Sequence, residues 1–294
     1  MVWTERKKGA GRQGILLACK TGAQGGHRPF WPFCSARRCW PAAQRARPRV
    51  AVPGGSPAPG GPDEPPGGET GSLLCRIVDG AAEGELLLAA QRSEGDALYR
   101  LTVGDTPVLL DNQTADSGRL QDGMLLTVIY SGDVLETYPA VPEGVVAIQA
   151  ITSGQDDRCG LVLQAFEDLW AEDSGLNGDI AYMGFEISEA LVPESSEREG
   201  IAWRFAELHG TQPLTGSWQQ LADEGYIDAE NLYWENGLFF SFTPTENAAQ
   251  QDDTLFFAAQ KWRSGLGALF FVDCTARKDA LGGWQYEAGG FAIA

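Results

Sequence analysis

Short apolar runs separated by turn residues fill the region from residue 72 to residue 152. Within each run apolar and polar positions alternate, which is the period of a half-buried strand. Turn pairs such as Asp79-Gly80 and Ser131-Gly132 lie between the runs. The predicted strands are residues 73–78, 85–91, 97–103, 108–110, 124–130, 134–138 and 145–151. Strands this short, with turn signals about every 8–12 residues, are typical of a small β-barrel or sandwich.

The period changes to that of a helix after residue 154. Cys159, Val162, Phe166 and Leu169 are spaced as on one helical face, and Asp157 precedes them at the positive helix end. Further helices are predicted from residue 194 to Gly210 and over 217–224, and strands over 180–187, 238–243, 254–262, 268–276 and 284–293. We therefore expect an α+β domain at 154–294, with helices on one face of a four-strand antiparallel meander. This order is similar to cystatin-like and NTF2-like domains, an analogy that carries no function.

Two resemblances follow from particular residues. The first set of residues is Leu120, Gly123-Met124, Val128, Tyr130-Ser131-Gly132, Glu136 to Ala140, Val146 and Ile148. In these residues the chain resembles small OB-like β-barrel domains of Gram-positive lipoproteins. Over residues 72–294 the chain resembles a two-domain family of uncharacterised secreted proteins from clostridial Gram-positive bacteria. The carrying motifs are Asp157-Arg158-Cys159, Glu167 to Trp170, Glu207 to Gly210, Gly225 to Trp234 and Lys261 to Ala268. The resemblance implies secretion or lipid anchoring and no established activity.

Charge divides the chain near residue 70. Residues 1–50 carry eleven Lys and Arg and one acid, whereas residues 71–294 carry eleven Lys and Arg against 36 acids. Residues 51–70 are rich in Pro, Gly and Ser, which is typical of a flexible linker. We therefore divide the chain into a disordered leader and linker (1–71), an OB-like barrel (72–152) and an α+β domain (154–294).

The basic leader has two interpretations. A basic arm is often a nucleic-acid or membrane tether. However, a one-base shift over residues 29–44 permits a glycine and a run of Leu, Val and Ala, preceded by permitted Lys and Arg. A charged segment before an apolar run is the pattern of a secretory signal. We expect a mis-framed signal peptide, so that the protein is extracytoplasmic, secreted or lipid-anchored; the alternative is a genuine disordered tail.

The acidic body narrows the classes of partner. Nucleic acid is disfavoured because its phosphates need Lys and Arg, and direct contact with anionic lipid is disfavoured for the same reason. No apolar run has the length of a membrane span. No glycine-rich phosphate loop joins a strand to a helix, and the only body histidine, His209, cannot form a histidine-rich zinc site. We expect no cofactor and no metal.

Cysteines and acids offer limited chemistry. The body holds Cys75, Cys159 and Cys274, which allow a Cys159–Cys274 disulfide or three buried thiols. His209 at a helix end is either a triad base or a helix cap. The acids Glu167, Asp168 and Glu186 are candidate members of a glycosidase-like pair, and Asp111, Asn112, Asp116 and Asp122 lack the EF-hand spacing for calcium. Tyr130 and Tyr138 are either stacking residues or half-buried strand residues.

The segment from Lys261 to Gly267 is the strongest candidate for binding. It places two cations beside an indole in an acidic domain, and its glycines permit close approach by a ligand. The alternative is a structural hairpin. The predicted ligand-binding residues are Lys261, Trp262, Arg263, Gly265, Gly267 and Trp234, with Trp218 and Tyr233 as extensions. We expect an anchored accessory protein that binds a cell-envelope component or a protein without catalysis; the rival is a carboxylate-dependent hydrolase of the cell envelope.

Overall fold

The structure is a computed structural model that describes residues 70–91, 97–245 and 249–294. The predicted leader and nearly all of the predicted linker lie outside the described residues, and so does the signal-peptide hypothesis. The described part is mostly β-strand, with three α-helices, and residues 70–91 pack with the rest in one compact unit. No helix in these ranges has both the length and the apolar character needed to cross a bilayer.

The first sheet has seven strands in the order β3-β2-β1-β6-β9-β4-β5. Its strands are β1 (Gly71–Asp79), β2 (Glu85–Ala90), β3 (Leu98–Thr102), β4 (Val108–Leu110), β5 (Gln113–Ala115), β6 (Leu125–Tyr130) and β9 (Val145–Ile151). Two short strands, β7 (Val134–Leu135) and β8 (Val141–Pro142), pair with each other. All pairings in the first sheet are antiparallel except that of β4 with β9, which is parallel.

The first sheet must curl to satisfy its own connectivity. β3 and β4 are consecutive in the chain but lie five positions apart in the sheet. A flat sheet would separate them by ~24 Å at ~4.8 Å per strand. The six-residue step from Thr102 to Val108 spans at most ~20 Å, so the sheet closes toward itself. Its interior is filled by apolar side chains such as Ile77, Leu88 and Ile148, which are fully buried.

The second sheet combines parallel and antiparallel strands in the order β11-β10-β12-β13-β14-β15, with β16 also paired to β14. The strands are β10 (Tyr182–Ile187), β11 (Gln212–Thr215), β12 (Gly237–Pro244), β13 (Thr254–Ser264), β14 (Gly267–Lys278), β15 (Trp284–Glu287) and β16 (Gly290–Ile293). The helices are α1 (Arg158–Ala171), α2 (Ser195–Leu208) and α3 (Trp218–Asp223). β10 runs parallel to both β11 and β12, whereas β12 to β15 form an antiparallel meander.

The expected purely antiparallel sheet is therefore wrong at one edge. The meander exists, but β10 and β11 extend it with parallel pairs that the cystatin- or NTF2-like analogy did not include. β11 was missed because it has four residues and contains Pro213, which marks edge strands. The last predicted strand is split into β15 and β16. They pair with β14 on either side of Asp273, whose φ is +52°.

Helix ends follow local capping chemistry. At the start of α1 the Asp157 carboxylate accepts a hydrogen bond from the Gly160 N–H at 2.9 Å. α3 begins with a capping box, because the Ser217 hydroxyl accepts from the Gln220 N–H and the Gln220 side chain accepts from the Ser217 N–H. α2 starts at Glu194 without a side-chain cap, so packing against both sheets stabilises it instead.

Both sheets contribute to one core beneath α2. Leu86 and Leu88 of β2 face the interior of the first sheet, whereas Leu87 and Ala89 on its other face join the core that also contains Phe166 of α1 and Phe205 of α2. Each fully buried leucine contributes roughly 1.5–3 kcal/mol relative to exposure. The two predicted domains thus share apolar packing.

Polar contacts also cross the boundary between the two sheets. Arg76 of β1 donates from Nε to Glu197 of α2 at 2.7 Å, and the Ser196 hydroxyl donates to the carbonyl of Ala90 at 2.5 Å. Arg204 of α2 forms an ion pair with Asp79 at the end of β1. Because Glu197 and Ser196 are buried, these contacts satisfy groups that burial would otherwise penalise.

Candidate functional site

Lys261 is fully buried on β13 and holds the carboxyl end of α1. Its ammonium donates to the carbonyl oxygen of Glu172, to the carbonyl of Asp173 at 3.3 Å and to Asn177 Oδ1 at 3.2 Å. Burial lowers the pKa of Lys261 from 10.5 to about 8, against the raising effect of nearby Asp173 and Glu172. A cation at the negative end of a helix satisfies carbonyls that have no helical partner.

Arg263 ties two loops to the same end of the sheet. Nη1 donates to the carbonyls of Leu176 at 2.7 Å and Gly178 at 2.6 Å, and Nη2 donates to the carbonyl of Glu235 at 2.7 Å. The guanidinium therefore joins the segment after α1 to the segment before β12. Neither cation of the predicted binding segment is presented to solvent as an open basic surface.

Trp262 and Trp234 are core residues on the opposite face of the second sheet. They are 7% and 1% exposed, and Trp262 meets Trp218 edge-on at 5.6 Å between ring centres. A side chain on Gly237 would place its Cβ 2.0 Å from the Trp234 indole, so only glycine fits beside that ring. These indoles serve packing beneath α3.

Gly265 and Gly267 belong to the hairpin between β13 and β14. A Cβ on Gly267 would lie 2.9 Å from Ser264 Oγ and 3.0 Å from Leu176, whereas Gly265 has only Leu232 nearby, at 3.5 Å. Leu266, between them, is 94% exposed. The Lys261–Gly267 segment is thus a structural hairpin, and the expectation of an open aromatic and basic site there is corrected: carbonyl oxygens already use its charges.

The predicted Cys159–Cys274 disulfide is not formed. Cys75, Cys159 and Cys274 are free and buried. Burial raises the pKa of the Cys75 thiol to about 12, that of Cys159 well above its usual range, and that of Cys274 to about 11 with help from Asp273. Buried thiols with raised pKa values are poor nucleophiles.

The other sequence candidates are spread over separate places. His209 Nε2 lies 3.0 Å from Glu167 Oε1, and the imidazole packs on the Trp170 ring with ring centres 4.0 Å apart. Asp168 accepts from the Tyr286 hydroxyl and from Gln164. Glu167 and Asp168 therefore already have partners on α1 and its neighbours.

The tyrosines and turn acids considered at the sequence level have local roles. The Tyr138 hydroxyl donates to Glu199 at 2.9 Å, and Tyr130 packs against the backbone of Gly71. Asp111 accepts from both the N–H and the hydroxyl of Thr152, at 3.0 and 2.7 Å. Across the described ranges no three His, Cys, Asp or Glu residues come together as a metal site.

A cleft that sequence reasoning missed lies at the carboxyl ends of β10 and β11. These adjacent strands are parallel, and the chain leaves β10 toward α2 in one core and leaves β11 toward α3 in the core on the other face. Adjacent parallel strands whose connections diverge to opposite faces leave a crevice beyond their carboxyl ends, where open α/β sheets bind ligands. The sheet therefore places an opening here by topology alone.

We call this opening the switch-point cleft. It has a volume of about 630 Å³. It is lined by Phe185, Glu186, Ile187, Glu189, Arg198, Thr215, Gly216, Ser217 and Gln220. β10 supplies the first three residues, the segment after it supplies Glu189, and α2 supplies Arg198. The end of β11, the turn that follows and α3 supply the rest. The capping box of Ser217 and Gln220 fixes that turn, so one wall is preformed.

The charges of the switch-point cleft are not paired with one another. Arg198 Nη1 donates to the carbonyls of Val192 and Pro193, both at 2.7 Å, and makes no carboxylate contact within the described ranges. Glu186 and Glu189 likewise have no protein partner in that part of the chain. Five of the other body cations there, Arg76, Arg100, Arg158, Arg204 and Lys278, do form carboxylate ion pairs. An unpaired, half-buried arginine beside unpaired glutamates therefore marks the cleft. Arg277 and Glu287 also line one cavity without partners in the described part of the chain, but both are exposed.

A second cavity, of about 710 Å³, lies between the first sheet and the turn from β14 to β15. Among its charged residues, Lys278 is held by Asp156 at 3.2 Å, and Asp279 caps the turn by accepting from the N–H groups of Leu281 and Gly283. Only Arg119 of its charged lining is exposed without a partner in the described part. The switch-point cleft is thus the better candidate, because it carries free charges of both signs.

Only part of the switch-point cleft was visible in the sequence. Glu186 was named as a candidate acid, and the strand and helix that position it were predicted. Arg198 was not singled out, because a surface arginine on a helix is common. The remaining signal was Ser217 with Gln220 three residues later, which is the pattern of a capped helix start. No protein-family model, curated protein or solved structure matches the chain.

Proposed function

We propose that this protein is a non-catalytic binding protein that takes a small polar ligand in the switch-point cleft. The observation that carries the proposal is the position of the cleft at the carboxyl ends of β10 and β11, lined by charges without partners in the described chain. The hairpin from Lys261 to Gly267 is left with a supporting role, because its cations hold backbone carbonyls.

The first sheet is proposed to be an OB-like barrel that supports the second sheet. Its curl and the parallel pairing of β4 with β9 suit such a barrel. OB folds bind ligands on the face of their second and third strands. In this protein Leu87, Ala89 and Leu98 of β2 and β3 pack in the core beneath α2. Because that face is covered, the barrel is assigned a mechanical role.

The proposed compartment is extracytoplasmic, with secretion or a lipid anchor supplied by the segment before residue 70, and the proposed partner is a cell-envelope component or a protein. The contrast between the basic leader and the acidic body supports this. The family resemblance stated from the sequence motifs points the same way. The test is the nucleotide sequence upstream of codon 70: an apolar run in the shifted frame supports export, and a stop codon there contradicts it.

A carboxylate-dependent hydrolase of the cell envelope is the second candidate, because Glu186 and Glu189 line one cleft. In this case Glu186→Gln would abolish hydrolysis of a purified envelope polymer, since paired carboxylates divide acid and base roles. Retention of hydrolysis, or its absence from the wild-type protein, contradicts the hydrolase.

The binding proposal is tested with the full chain in a survey of amino acids, sugars, nucleotides and short peptides, read by amide chemical shifts. We expect shifts to cluster at residues 185–189, 198 and 215–220. Thr215→Trp would fill the cleft and remove binding, whereas Thr114→Trp on exposed β5 is the matched control. Shifts centred on Arg119 or on the Lys261 hairpin would place the site elsewhere.

A further inference from the structure

The switch-point cleft holds side chains of opposite charge that do not pair with each other. Their signs indicate which charged groups a ligand between them would carry. Arg198, Glu186 and Glu189 line the same 630 Å³ space, yet no nitrogen of Arg198 lies within ion-pair distance of either carboxylate. Neighbouring charges on a surface usually neutralise each other when they can reach. Here the space between them is open and of the size of a small molecule.

Arg198 has guanidinium nitrogens available to bond a carboxylate. Two carbonyls hold Nη1, which restrains the guanidinium, while Nε and Nη2 have no protein acceptor in the described part. A guanidinium presents its free N–H groups as a planar fork that matches the two oxygens of a carboxylate. The side chain is half-buried, so this contact is less screened than one at the surface.

Glu186 and Glu189 line the cleft with carboxylates that can accept from an ammonium group. Ionised carboxylates only accept hydrogen bonds, and an ammonium supplies three donors. Glu186 is half-buried on β10, one of the strands that form the base of the cleft, whereas Glu189 is exposed just beyond its end. Among the uncharged lining groups, the Thr215 hydroxyl and Gln220 Nε2 can bond to an amide between the two charges, whereas Gln220 Oε1 already accepts from the Ser217 N–H.

We infer that the ligand is a small zwitterion with a free ammonium and a free carboxylate, of the amino-acid or short-peptide class. This inference rests on the proposed binding function of the cleft. A purely anionic ligand would face two glutamates and the strongly acidic body, and a purely cationic one would leave Arg198 uncovered. A ligand without net charge that carries both groups meets every free charge of the site.

The test measures affinity of the full chain for three probes by titration calorimetry. Glycylglycine carries both charges, N-acetylglycylglycine carries only the carboxylate, and glycylglycinamide carries only the ammonium. We expect glycylglycine to bind and each blocked probe to bind at least about tenfold more weakly, since a hydrogen bond between charged partners is lost each time.

Substitutions identify which residue recognises which group. Arg198→Gln should lower the affinity for glycylglycine about tenfold but leave the affinity for glycylglycinamide unchanged. Glu186→Gln should also lower the affinity for glycylglycine, but it should leave the affinity for N-acetylglycylglycine unchanged. Arg198→Lys restores part of the affinity, because it keeps the charge and loses the fork. Arg119→Gln, which removes an unpaired arginine of the second cavity, is the matched control and should change nothing.

The outcomes separate the ligand class from the function. Equal affinity for glycylglycine and glycylglycinamide, or no effect of Arg198→Gln, overturns the zwitterion. If the survey solutes shift cleft residues but glycylglycine does not, the ligand class fails and the binding function stands. If none of these solutes or probes shifts residues 185–189, 198 or 215–220, both are overturned.

Discussion

The two ends of the second sheet treat positive charge in opposite ways. At the end where β10 and β12 begin, Lys261 and Arg263 donate to at least five carbonyl oxygens, and Arg263 uses both of its terminal nitrogens in these bonds. At the end where β10 and β11 stop, Arg198 donates from one nitrogen to two carbonyls, and its other two nitrogens have no acceptor among the described residues. Arg263 thus bonds carbonyls through two terminal nitrogens and Arg198 through one, a difference that residue type and neighbouring aromatics do not reveal.

Lys261→Met, at the end of the second sheet where β10 and β12 begin, gives the largest expected loss of stability. The variant leaves the carbonyls of Glu172 and Asp173 without their donor in a buried place, so the free energy of unfolding should fall by about 3 kcal/mol. Urea denaturation measures it. Lys278→Met, which removes a partly exposed ion pair with Asp156, is the control and should cost about 1 kcal/mol. Equal losses would contradict the assignment of Lys261 to a structural role.

Gly237→Ala, where β12 begins, and Gly216→Ala, at the switch-point cleft, compare the packing of the two ends of the second sheet. In Gly237→Ala the Cβ would lie 2.0 Å from the buried Trp234 ring, which should cost about 2–3 kcal/mol through overpacking. Gly216→Ala at the switch-point cleft meets only Gln220, at 3.3 Å, and should cost about 1 kcal/mol from its φ of +153°. Thermal unfolding of both variants checks the order. A larger loss for Gly216→Ala would mean that the cleft is packed rather than open.

Asp157 makes the start of α1 sensitive to pH. Burial raises the pKa of Asp157 from 3.8 to about 7, with Asp122 and Asp156 adding to the effect and the Gly160 N–H opposing it. The folded state therefore holds a proton that the unfolded state releases above about pH 4, so this group's stabilising contribution is present below that pH and is lost as pH rises to about 7.

Asp157→Asn tests this pH dependence. The amide keeps an N-cap acceptor and cannot ionise, so at pH 7.5 the variant should be more stable by about 2 kcal/mol. Its free energy of unfolding should also be flatter between pH 4 and 7, measured by urea titration. Asp116→Asn, at the exposed start of the 3₁₀ turn at Ser117–Arg119, is the control. A parallel pH dependence in variant and wild type would show that Asp157 is ionised when folded.

Arg198→Gln should have the smallest effect on stability. The amide can still donate to one of the two carbonyls that Arg198 bonds, so the free energy of unfolding should change by less than about 1 kcal/mol. The same substitution should raise about tenfold the glycylglycine concentration needed for half-maximal chemical shifts in the switch-point cleft. A loss as large as that of Lys261→Met would remove the contrast between the two ends.

The sequence predicted elements better than their arrangement. Periodicity located α1 through Cys159, Val162 and Phe166, because a helix buries every third or fourth residue regardless of its partners. The parallel edge was missed, because β11 is short and its pairing with β10 depends on contacts distant in sequence. The Lys261 segment was misinterpreted for the same reason: most of its carbonyl partners, such as those of Glu172 and Leu176, lie more than eighty residues away.

The burial of β2 on both of its faces could also be predicted only in part from the sequence. The run from Leu86 to Ala90 is continuously apolar, which is typical of a strand covered on both sides. The sequence contained this signal but not the identity of the cover, since α2 begins more than one hundred residues later. For the same reason, Arg198 acquires significance only when α2 is placed beside the ends of β10 and β11.

The covered face of β2 has a consequence for biosynthesis. Leu87, Ala89 and Leu98 leave the ribosome long before Ile201 and Phe205 of α2, which bury them. At about 5–20 residues per second the face stays bare for roughly 5–25 seconds. The nascent chain therefore exposes an apolar surface through much of translation. We expect it to need a chaperone during that interval, and a ribosome-stalled chain ending before residue 195 should be captured by one.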